Sequence, residues 1–112
     1  MTTISTERDV TTLVNVFTVR PEDQQRLVDV LAEAAKTMKT IQGYVSSNLH
    51  KSLDGTKVVN YVQWESAGDF EAMLGDPAAR PHMDEAAGIA EGYEPDLYRV
   101  AFVDEVADRV AS

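Results

Sequence analysis

The stretch GYVSSNLHKSLDGTKVVNYVQW, from Gly43 to Trp64, holds the side chains in this chain best suited to chemistry. It reads as two alternating strands with Tyr44, Asn48 and His50 on the first and Asn60 and Trp64 on the second. An imidazole can move a proton near neutral pH. A carboxamide can donate to a developing oxyanion, and an indole offers a flat wall to an aromatic ligand. Gathered on a sheet face that ought to be covered, these groups describe a cavity with chemistry in it.

Whether they share a face depends on the turn between the strands. A two-residue Asp54-Gly55 turn pairs Leu53 with Thr56 and Lys51 with Val58, and points His50 away from Asn60 and Trp64. Alternatively, Leu53 and Asp54 form a type I turn and Gly55 takes a left-handed bulge position, so that Ser52 pairs with Thr56. Asn48 then lies opposite Asn60, and Tyr44 opposite Trp64. Side-chain character favours the bulge, because it collects Tyr44, Ser46, Asn48, His50, Val58, Asn60, Val62 and Trp64 together. The opposite face, with Val45, Leu49, Val59 and Tyr61, is too apolar to leave wet.

The elements that must hold this hairpin are legible from their periods. Val10 to Val19 is a buried strand, with Asn15 set among Leu13, Val14, Val16 and Phe17. Pro21, Glu22 and Asp23 open a long amphipathic helix carrying Leu27, Leu31, Ala34, Ala35, Met38 and Ile41, with Gly43 as terminator. After the hairpin, Ser66 and Asp69 form a helix cap ahead of Phe70, Met73 and Leu74. Asp76-Pro77 starts a further helix with Met83, Ala86, Ala87 and Ile89, and Gly92 stands near its end. Leu97 to Val103 is the last strand. The order β-α-β-β-α-α-β is that of an α+β, ferredoxin-like split βαβ fold with an antiparallel sheet. Residues 1–9 read as a polar tail, 10–104 as the domain and 105–112 as a second tail.

Composition narrows the function further. The 112 residues suit one small domain, and a second copy laid against the bare sheet face is the natural way to cover it, so a homodimer is expected. With 19 acidic against 10 basic residues, net charge −9, neither nucleic acid nor an anionic membrane surface is an expected partner. There is no cysteine, so thiolate chemistry and Cys-ligated metals are excluded. No metal-spaced carboxylate cluster and no phosphate-cradling glycine loop is visible. With no apolar signal region or membrane-length stretch, a cytoplasmic location is expected.

The residues Asn15-Val-Phe-Thr-Val, Gly43-Tyr-Val through His50, Ser52-Leu-Asp-Gly, Val59-Asn-Tyr-Val-Gln-Trp64 and Phe70-Glu-Ala-Met together resemble the antibiotic biosynthesis monooxygenase family. The resemblance spans roughly residues 10–103 and implies a dimeric α+β barrel. It also implies oxidation of an anthrone- or phenol-like aromatic polyketide to a quinone by dioxygen, without cofactor. His50, Asn60 and Trp64 match the catalytic positions of the quinone-forming subgroup. A helical tyrosine of that subgroup is Phe70 here, and its helical arginine has Arg80 as a rough counterpart. Asn15, Tyr44, Asn48, Phe70, Met73, Arg80 and His82 complete the expected substrate-binding set.

Each of these residues also has a structural alternative. Asn60 and Asn15 can be hydrogen-bonded strand residues, Trp64 plain core, and Arg80 a surface cation. The resemblance also extends to haem-degrading relatives, in which His82 would be the axial ligand and Asn15 would help orient the macrocycle. The position that is aromatic in those relatives is Met73 here. A third reading is a non-catalytic dimer that binds a hydrophobic small molecule.

Overall fold

The computed structural model describes residues 1–106. Four strands, β1 (Thr11–Thr18), β2 (Tyr44–Lys51), β3 (Lys57–Trp64) and β4 (Gly92–Arg99), form one antiparallel sheet in the order β2-β3-β1-β4. Helices α1 (Gln24–Met38), α2 (Ala67–Leu74) and α3 (Arg80–Ile89) complete the α+β, ferredoxin-like arrangement. No helix among the described residues is long and apolar enough to cross a membrane. Residues 107–112 of the expected C-terminal tail lie outside the described residues.

Helix α1 follows a 3-10 turn at Pro21–Asp23 and buries Leu27, Leu31 and Ala34. The Gln24 side chain ties its start to the hairpin end, donating from Nε2 to the carbonyls of Ser52 and Lys57, each at 3.0 Å. Ser66 caps α2 as its sequence foretells, accepting from the Asp69 amide at 3.1 Å. Two apolar clusters lie between sheet and helices. One joins Phe17, Leu27, Val58, Ala86 and Ile89. The other joins Leu13, Val62, Trp64 and Met73.

Several element boundaries differ from expectation. Helix α3 begins at Arg80, because Asp76 uses its side chain and carbonyl to hold the amides of Ala78 and Ala79 in a preceding turn. The last strand starts at Gly92, five residues ahead of Leu97, and ends at Arg99. Its Pro95 disguises it in sequence, but β4 is an edge strand, where a missing donor is tolerated. Within the first nine residues, which form no helix or strand, the Thr2 hydroxyl donates to Asn48 Oδ1 at 2.7 Å, and the Thr3 carbonyl accepts from Gln63 Nε2 at 2.8 Å.

The hairpin register is the main correction. Gly55 is left-handed at φ 83° and its amide closes a turn onto the Ser52 carbonyl, as the bulge reading requires. Pairing nevertheless resumes one residue later, with the Ser52 amide donating to the Lys57 carbonyl at 3.0 Å. The reason is local. Asp54 Oδ1 accepts from the Thr56 amide at 3.0 Å and from the Thr56 and Ser52 hydroxyls, while Ser52 Oγ accepts from the Lys57 amide. Thr56 is thereby held in the loop, Lys51 pairs with Val58, and Leu49 lies opposite Asn60. A register shift between Tyr44 and Ser46 then restores the pairing of Tyr44 with Trp64. Leu49 therefore packs against the core instead of lying on the outer face.

Candidate active site

Asn15 and Asn60 are directly paired across β1 and β3. They share the helix-facing side of the sheet with Leu13, Phe17, Val62 and Trp64, because alternate residues of each strand point the same way. Directly opposed residues of antiparallel strands carry Cβ atoms about 5 Å apart, so the two carboxamides are neighbours. Neither makes a side-chain hydrogen bond among the described residues, and the Oδ1 atom of each is buried without a partner. Buried polar atoms are normally satisfied within the fold, so a matched pair of orphans marks a place for a ligand.

The indole of Trp64 is fixed beside them. It is 1% exposed and held edge-on between Tyr44, ring centroids 5.8 Å apart, and Phe70, 6.2 Å apart. Its Nε1 is a third buried polar atom without a partner. These groups open onto a cavity of about 670 Å³ between the sheet and the helices. Phe70, Met73 and His82 line it from α2 and α3, and Leu31, Ala34 and Met38 from α1. The walls are mostly aliphatic, aromatic and thioether, with few polar groups, as befits a flat apolar ligand.

Six of the expected site residues, Asn15, Asn60, Trp64, Phe70, Met73 and His82, thus line one cavity. Tyr44 stands behind Trp64 and reaches the cavity through it. Asn48 and His50 lie on the outer sheet face as a direct result of the register. Asn48 is opposite Tyr61, with its Nδ2 donating to the Tyr61 carbonyl at 3.1 Å, and His50 is opposite Val59. Arg80 is exposed on the first turn of α3 and does not line the cavity. Ser47, Met38, Met83 and Pro95 line it and were not among the expected site residues. Met38 and Met83 sit on helical apolar stripes that read as core, Ser47 belongs to neither face set, and Pro95 lies outside the expected strand.

His82 enters from the first turn of α3, its Nε2 3.0 Å from the Thr37 hydroxyl of α1. That engagement bears on haem. Iron ligation through Nε2 would require breaking the bond to Thr37. Among the described residues no group of three His, Asp or Glu side chains is placed to hold a metal ion.

The model of the antibiotic biosynthesis monooxygenase family matches residues 11–85, which contain every expected site residue. The chain belongs to this family. It is 45% identical over 91 residues to the tetracenomycin-F1 monooxygenase of Streptomyces glaucescens, covering 80% of this chain and 81% of that one. In structure it is similar to a monooxygenase from the gene ActVA-Orf6 of Streptomyces coelicolor, solved in complex with nanaomycin D. That likeness has a TM-score of 0.79 at 25% identity and covers 87% of this chain and 92% of the other. SnoaB of Streptomyces nogalater, described as a cofactor-independent oxygenase, shares the fold with a TM-score of 0.69 at 23% identity, over 90% and 99% of the two chains.

Proposed function

We propose that the protein is a cofactor-independent monooxygenase that converts an anthrone- or phenol-like aromatic polyketide to a quinone. The observation that carries this reading is the pair of unpartnered carboxamides, Asn15 and Asn60, beside the unpartnered Trp64 indole in one apolar cavity. The named activity of the 45% identical relative and the description of SnoaB point the same way.

The chemistry follows from the substrate's own electrons. Triplet dioxygen reacts slowly with closed-shell molecules, whereas a deprotonated anthrone can pass it one electron. The resulting carbon radical and superoxide combine to a carbon-bound hydroperoxide. Loss of the remaining C–H proton with cleavage of the O–O bond then leaves a carbonyl and releases water. In sum, one methylene and one dioxygen become one carbonyl and one water. Asn15 and Asn60 donate from Nδ2 to the enolate oxygen, while their unpartnered Oδ1 atoms accept from a ligand hydroxyl; a donor aimed at an oxyanion in a dry site is commonly worth about 3–4 kcal/mol of barrier. Trp64 and Phe70 wall the ring system, and the apolar lining excludes water. His50, on the other sheet face, is not placed to serve as the base.

The proposal includes a homodimer in the cytoplasm. The outer sheet face carries Val14, Val16, Val59 and Tyr61, only partly buried, and the half-exposed Tyr98 of β4, which pairs with Thr12. A second sheet laid there covers an apolar surface that a lone domain would leave in water. Sedimentation equilibrium at micromolar concentration checks this.

The test of function is dioxygen consumption with 1,8-dihydroxy-9-anthrone. One dioxygen taken up per quinone formed, with the rate lost in Asn60→Ala, supports the oxygenase. Uptake at the uncatalysed rate with the anthrone bound leaves a binding protein in its place.

A further inference from the structure

We propose that His82 is the catalytic base of this cavity and that Thr37 is the positioning residue that sets its tautomer. The inference rests on reading the cavity as a site for an ionisable aromatic, and it assigns the proton-transfer step that this reading leaves without an owner. The chain has two histidines, and the register places His50 on the far side of the sheet. His82 is therefore the imidazole at the cavity wall. Two other titratable side chains border the same space. Asp96 pairs with Val14, whose side chain lies on the outer face, and Tyr93 is a half-exposed phenol against Phe17. Neither is a buried base.

The Thr37 contact gives the imidazole a direction. A threonine hydroxyl is both donor and acceptor, so at 3.0 Å it can accept the Nε2–H bond. That tautomer leaves a lone pair on Nδ1, which has no protein partner among the described residues. A phenolic O–H or the anthrone methylene can then lose its proton to Nδ1, giving the substrate anion and an imidazolium. Thr37 accepts from Nε2–H before and after the transfer, so no protein group has to turn. The carboxamides meet the ligand from the sheet and the imidazole from the helices, so the oxyanion donors and the base lie on opposite walls. A ring system between them has its carbonyl oxygen held at one side and its acidic hydrogen presented at the other.

The experiment mixes the protein with 1,8-dihydroxy-9-anthrone under nitrogen and reads the long-wavelength absorbance of the bound anion, then admits dioxygen and follows uptake. Wild type is expected to form the anion at neutral pH. His82→Gln is expected to bind with a Kd within about threefold but to leave the ligand neutral. Its uptake is expected to fall about 100-fold, the lower end of what general bases supply. In His82→Ala, added imidazole restores part of the anion signal. Thr37→Val lowers the anion fraction and kcat without changing Kd, and Thr37→Ser restores both. Because Thr37→Val and Thr37→Ser alter only the partner at Nε2, they decide the matter even if His82 variants fold poorly. Full anion formation in His82→Gln, or in Thr37→Val together with unchanged uptake, overturns the assignment. Wild-type protein that binds the anthrone but leaves it neutral overturns it too, and absence of binding overturns this inference and the functional reading together. Ionisation by His82 without oxygen uptake keeps the base and refutes only the oxygenase.

Discussion

Replacing Asn60 with valine is expected to make the protein more stable and nearly inactive. The Asn60 oxygen is buried and unpartnered, as is that of Asn15 opposite it. An unsatisfied buried polar atom costs about 1–3 kcal/mol of stability. Valine removes that cost, fits a strand well and fills a similar volume beside Val62. A gain of about 1 kcal/mol is therefore expected, visible as a melting temperature roughly 4 °C higher at fixed protein concentration. The same substitution removes one oxyanion donor, which corresponds to a loss of about 100-fold or more in turnover. Asn15→Val should behave alike, and the double variant should not be additive, because the two residues are directly paired across the strands. Urea midpoints and dioxygen-electrode rates on the same preparations read both effects. A loss of more than about 1 kcal/mol in Asn60→Val would show that the carboxamide serves the fold, and the reasoning from its missing partner would fail.

Three further outcomes follow from the geometry. Gly43 sits at φ +87° with its Cα facing the Asp69 carboxylate, so Gly43→Ala meets both a backbone penalty and a collision; a urea midpoint lower by the equivalent of about 1–3 kcal/mol is expected. The Asp54 carboxylate is held down at about 2 from an ordinary 3.8, first by the Thr56 amide and then by the Thr56 and Ser52 hydroxyls. A depressed carboxylate stabilises the fold above its unfolded value and ceases to as pH falls through its folded one. Unfolding should therefore become easier between about pH 4 and pH 2, and Asp54→Asn should flatten that part of the profile. Hemin titration is expected to give no Soret change that depends on His82, since ligation through Nε2 costs the bond to Thr37; a shifted band lost in His82→Ala would reverse this.

The fold was legible because its signals are local: Pro21 ahead of the α1 stripe, the Ser66–Asp69 cap, and Gly55 at the turn. Asn15, Asn60 and Trp64 stood out because polar groups among β-branched neighbours are rare. The register was harder to read, because it depends on where Thr56 goes. The Asp54 carboxylate claims its amide, a side-chain competition that a turn-type rule does not include. One residue of difference carries Asn48 and His50 to the other face, and the bulge near Val45 undoes the shift in time to keep Tyr44 on Trp64. The contact of His82 with Thr37 joins residues 45 apart in sequence, which no periodicity reveals.

The cavity itself can be interrogated through the chain's single tryptophan, whose indole N–H is buried there without a partner. Titrating 15N-labelled protein with the anthrone under nitrogen should move the Trp64 indole resonance and the Asn15 and Asn60 side-chain amide pairs, while His50 stays put. Saturable binding that shifts His50 and its outer-face neighbours, with the indole and both amides unmoved, would contradict the account.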